Sequence, residues 1–103
     1  MSWSIRPFSA WAIARRFGQA LAAHYLATRP SAGEDRTGSK TRLLLLNMRA
    51  QVERFTRSEK VTFFSKALMA NDFKWGLIEG GVDRAKADEM TEWLLQEVSR
   101  HRK

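Results

Sequence analysis

A chain of 103 residues that is 44% hydrophobic, with four Trp and six Phe, has the apolar material for one compact core and too little length for a large enclosed catalytic cavity. It contains no cysteine, which removes disulfides, Cys-ligated zinc and thiolate nucleophiles together. The net charge of +7 is lopsided: residues 1–57 hold ten Lys and Arg against three Asp and Glu, whereas residues 58–103 hold eight against eight. Such asymmetry points to an anionic partner for the first half, with a merely solvated basic surface as the plainer alternative.

The first thirty residues contain four arginines, two tryptophans and no carboxylate. Between about Pro7 and Thr28 the spacing predicts an amphipathic helix, with Ile13, Phe17 and Leu21 at i, i+4, i+8, flanked by Ala14, Ala20 and Tyr25, and with Arg15, Arg16 and Gln19 opposite. Pro7 suits a first-turn position and Pro30 bars continuation. Residues 29–40, RPSAGEDRTGSK, have no large apolar side chain and read as a flexible linker.

A second helix is expected over residues 41–57, capped by Ser39 or Thr41, with Leu44, Leu45, Met48, Val52 and Phe55 on its apolar face. Leu43 and Leu46 fall outside that stripe, as a contact for the first helix or an exposed patch for a partner. Ser58 is expected to cap a third helix, which lines up Val61, Phe64, Leu68 and Trp75. Phe63, Met69, Phe73 and Leu77 lie off that line, so this helix is either central or broken near Asn71-Asp72. Gly80-Gly81 should end it. The last helix starts at Asp83, with Val82 and Ala87 as a staple and Ala87, Met90, Leu94 and Val98 on one face.

Catalytic chemistry is poorly supplied. His24 and His101 lie far apart with no metal-ligand spacing around either; His24 reads as a core or interface histidine and His101 as a solvated tail residue. The run GEDRTGSK has its glycines at phosphate-loop spacing, but in the order GSK and with two acids inside, so it reads as linker. LIEGGVDRAKADEM has the parts of a helix-turn-helix, yet residues 83–98 carry five acids and two bases, the wrong sign for a groove-reading helix. No catalytic, metal or cofactor site is expected.

The sequence therefore reads as an all-α bundle of four to five helices, with residues 1–28 a basic amphipathic helix, 29–40 the linker and 41–103 the bundle. The expected function is that of a non-enzymatic accessory or regulatory protein working by helix-mediated protein–protein contact, with another protein or as a homodimer. Its interface residues would be Trp3, Trp11, Leu43, Leu46, Phe63, Phe73 and Trp75. Arg6, Arg15, Arg16, Arg42, Arg49, Arg54 and Arg57 would meet an anionic partner, and a nucleic-acid-binding regulator using these arginines is the alternative. No stretch approaches the about 18 apolar residues of a membrane span, and Arg15 and Arg16 interrupt what would be the core of a secretory signal. The cytoplasm is the expected location. Peripheral membrane contact by the first helix, or mitochondrial import on it, are the lesser readings of the same arginine-rich composition.

Overall fold

The computed structural model describes residues 6–101 apart from residues 32 and 34, with side chains from Ala10 onward. Among the described residues there are four helices and no strand: α1 (Arg6–Thr28), α2 (Ser39–Ser58), α3 (Phe63–Glu79) and α4 (Arg84–His101). They neighbour one another in the cyclic order α1, α3, α4, α2, so that α1 lies diagonally opposite α4 and α2 opposite α3. The core runs between them through Leu21, Met48, Val52, Met69, Phe73, Leu77, Leu94 and Val98, all inaccessible to solvent.

The most extensive pairing is α1 on α3, and small residues make it so. Ala14, Gly18 and Ala22 recur every four residues, hence on one face of α1, and all are buried. A Cβ placed on Gly18 would lie 2.3 Å from the Met69 carbonyl oxygen, and one on Gly76 would lie 3.0 Å from the Ala22 Cβ. The two backbones thus approach more closely than larger side chains allow. This corrects the expected apolar line of α1: Ile13 and Phe17 are half-buried at the margin, Ala20 is exposed, and the seam belongs to Ala14, Gly18, Leu21, Ala22 and Tyr25. Phe17 is turned toward α2 and stacks on Phe55 at 4.2 Å between centroids.

Helix ends follow from local hydrogen-bond chemistry, in places other than expected. Ser58 closes α2 instead of opening α3, and α3 is capped by Thr62, whose hydroxyl accepts from the Ser65 N–H while the Ser65 hydroxyl accepts from the Thr62 N–H. Asp72 does not cap a further segment. Its carboxylate is engaged by Arg15 and Gln19 of α1, so α3 continues unbroken to Glu79. There Gly81 takes φ +100°, the Val82 N–H donates to the Leu77 carbonyl and the Gly81 N–H to that of Ile78, which satisfies the last carbonyls of α3. Asp83 then receives the Lys86 N–H at 2.9 Å and opens α4. At the start of α2, where Gly38 sits at the cap, the anion is Asp35: it accepts from the Lys40 N–H (3.0 Å), the Thr41 N–H (2.9 Å) and the Thr41 hydroxyl (2.5 Å).

Candidate interaction surface

The sequence of α2, SKTRLLLLNMRAQVERFTRS, holds two apolar stripes. Leu44, Met48 and Val52 turn inward and are buried, with Leu45 and Phe55 packed half-buried against the core. Leu43, Leu46 and Ala50, at i, i+3 and i+7, lie on the other side and are exposed. Leu43 keeps 66% and Leu46 49% of its surface in water. Burying a leucine fully stabilises by about 1.5–3 kcal/mol, so Leu43 leaves most of that contribution unused and Leu46 about half.

Beside Leu46 an open groove of about 360 Å³ runs between α2 and α4, lined by Gly38, Thr41, Arg42, Leu45, Leu46, Arg49 and Trp93. Its floor is apolar, its charged lining is cationic, and no carboxylate lines it. Arg42 is exposed, and its guanidinium has no partner among the described residues. Arg49 crosses toward α4, where its Nε lies 3.3 Å from Glu97. Glu97 is only 2% exposed and has basic side chains around it: besides Arg49, His101 Nε2 lies at 3.4 Å and Arg100 Nη1 at 3.8 Å. His101 is therefore not the solvated tail residue expected from the sequence. Its side chain is four-fifths buried and faces a carboxylate.

The expected anion-binding arginines do not form one patch. Arg15 pairs with Asp72 on α3 at 3.0 Å, and Arg57 with Glu53 one turn back on α2 at 2.5 Å. Arg16 and Arg54 are exposed without a partner among the described residues. The side chain of Arg6, and Trp3 altogether, lie outside what the structure describes. Among the described residues Arg42 and Arg49 meet at one groove, together with Leu46.

The aromatic residues separate as well. Phe73, taken as an interface residue, is fully buried at the centre of α3, because α1 covers the side of α3 on which it lies. Phe63 is 75% exposed with Lys66 Nζ 5.9 Å from its ring centroid. Phe64 is also exposed and meets Trp11 edge-on at 5.1 Å. Trp75 is 42% exposed, and Arg84 and Lys74 sit 5.6 and 5.9 Å from its ring. Phe63 and Trp75 line separate cavities, and neither lines the α2 groove. Trp93 is the groove residue that sequence reading passed over. It lies off the stripe of Ala87, Met90, Leu94 and Val98, and a large aromatic off the stripe of an amphipathic helix was the available signal.

His24 is half-buried on α1. Among the described residues no three His, Asp or Glu side chains come together as a metal site, and no helix is long and apolar enough to cross a membrane. Comparisons with protein-family models, with curated proteins and with solved structures find no significant match.

Proposed function

We propose that this chain is a non-enzymatic accessory or regulatory protein that acts by helix-mediated protein–protein contact, with the outer side of α2 as its main contact surface. The observation that carries this reading is the exposure of Leu43 and Leu46 one turn apart on α2, with Leu46 lining a groove that Leu45 and Trp93 also line. Paired leucines beside an aromatic-lined groove resemble the helix-in-groove mode of recognition, in which apolar anchors one turn apart supply the affinity. The exposed aromatics of α3 offer a second contact, and α1 contributes its basic side through Arg16.

The direct test is cross-linking of the full chain in its native extract, beside a Leu43→Asp/Leu46→Asp variant. Both side chains are exposed, so the variant should fold with nearly the parent melting temperature and lose the cross-linked species. Equal yields from both proteins would sink the reading. Nucleic-acid binding is the second reading, favoured by Arg16, Arg42 and Arg54, which are exposed and unpaired among the described residues. Its signature is an affinity for duplex or single strands that falls steeply with salt.

A further inference from the structure

The identity of the occupant can be read from the charges and spacing around the α2 groove. We infer that the outer face of α2 seats an acidic amphipathic helix of a partner protein, an inference that rests on the protein-contact reading and specifies its chemistry. The stripe Leu43, Leu46, Ala50 has the three-then-four spacing with which one helix meets another along a seam. A strand or an extended peptide would engage side chains at every second residue, a spacing this helix does not present.

Charge narrows the partner. Helix α2 carries five basic residues and a single acid. That acid, Glu53, is taken up by Arg57, and the buried Glu97 of α4 is taken up by Arg49. Among the described residues Arg42 and Arg54 meet no carboxylate and, by helical periodicity, border the leucine stripe on opposite sides, Arg42 toward α4 and Arg54 away from it. An apolar seam with a cation on each flank matches a helix with aliphatic anchors and flanking Asp or Glu, as at the charged margins of paired helices.

A second copy of the chain fits less well. Pairing α2 with itself sets its surplus cations against one another. The acidic surface of α4 (Asp88, Glu89, Glu92) has only Ala85 as an exposed apolar residue, so it would leave both leucines unmatched. A nucleic-acid backbone would likewise place phosphates over Leu43 and Leu46, where there is nothing apolar to bury them.

The experiment uses the full chain as bait for a phage-displayed library of randomised helical peptides. Three baits are compared: the parent, Arg42→Glu/Arg54→Glu, and Leu43→Asp/Leu46→Asp, each first shown to melt cooperatively. The parent should enrich peptides with aliphatic residues at i, i+3 or i+4, and i+7, flanked by Asp or Glu. A synthetic peptide of the enriched sequence should bind the arginine variant at least tenfold more weakly and the leucine variant not detectably. Enrichment of apolar peptides without acid, or binding indifferent to the arginine reversal, overturns the acidic-helix inference while leaving the protein-contact reading in place. Enrichment that the leucine variant retains in full, or no enrichment, overturns both. Tighter binding of a duplex DNA or RNA probe than of any enriched peptide, abolished by the arginine reversal, also overturns the inference, in favour of nucleic acid.

Discussion

Single residues set the closest approaches and the charge pairing, and their substitutions should separate cleanly. At Gly18 the obstacle to a side chain is the Met69 backbone, 2.3 Å from the added Cβ, and a carbonyl within a helix cannot step aside alone. Gly18→Ala should therefore force α1 off α3 and destabilise toward the upper end of the about 1–3 kcal/mol typical of overpacking. At Gly80 an added Cβ meets the Leu26 side chain, with its Cδ1 2.3 Å and its Cγ 3.0 Å away, and a half-buried side chain gives way more readily than backbone. Alanine there also narrows the unfolded ensemble, so Gly80→Ala should change stability by less than about 0.5 kcal/mol. Thermal melts of both variants test the contrast, and equal losses would show that the α1–α3 approach is less tight than described. The neighbouring arginines Arg15 and Arg16 diverge for an electrostatic reason. Arg15→Glu would place a carboxylate against Asp72, whose side chain is only 10% exposed, and Arg16→Glu would meet solvent. The first should cost about 1 kcal/mol more than the second in denaturant titration.

At the scale of elements, helix termini depend on single capping groups. In Thr62→Ala one half of the capping box fails: the Ser65 N–H in the first turn of α3 loses its acceptor, while the Ser65 hydroxyl still accepts from the backbone N–H at position 62; the expected loss is about 1 kcal/mol, read from the urea midpoint. The start of α2 depends on the ionised Asp35, and this makes it sensitive to pH. Chiefly the Thr41 hydroxyl, then the backbone N–H groups around it, hold the Asp35 carboxyl below its ordinary value of 3.8, against a smaller opposing effect of burial. A carboxyl whose folded pKa is depressed stabilises fully above its unfolded pKa, and that stabilisation is lost as the pH falls through the folded value. The parent should thus exceed Asp35→Asn in stability at neutral pH, and the gap should close only below about pH 3.8. Amide exchange at Lys40 and Thr41 should quicken in the variant; an unchanged rate would show that Asp35 does not hold this end of α2.

For the whole molecule, principal extents of 53 × 26 × 19 Å describe a rod, with a Cα radius of gyration of 14.3 Å against about 13 Å for a compact chain of this length. Its long faces are helix pairs, and the α1–α3 pair is the most extensive. Brief native trypsin treatment should cut first at Arg36, because Pro30 shields Arg29 and Lys40 lies in the first turn of α2. The two fragments should stay together on gel filtration, held by the seam of Ala14, Gly18, Leu21 and Ala22. By the same physics a chain lacking residues 1–33 exposes the side of α3 that packs on α1 and should lose cooperative unfolding. A truncated chain that melts sharply would make residues 41–103 a self-sufficient bundle.

The helical class of the chain, the inward stripe of α2, the core face of α4 and the stop at Gly80-Gly81 were legible in the sequence because each is written in local chemistry. Large apolar residues recur with the helical period, glycine admits the left-handed turn, and Asp83 precedes a run of helix formers. The seam of α1 was not legible, since Gly18, Ala14 and Ala22 add little hydrophobic signal and matter only through the backbone they admit. Nor could periodicity separate Phe73 from Phe63, two aromatics off the main stripe of one helix, one wholly buried and the other 75% exposed. That difference depends on where α1 crosses α3. Arginine count and spacing likewise left open which cations are free. Arg15 meets Asp72 across 57 residues of sequence and Arg49 reaches the buried Glu97 of α4, whereas Arg42 and Arg54 find no acid among the described residues. Such pairings exist only once helices distant in sequence have packed, so the tertiary structure alone decided which charges remain for a partner.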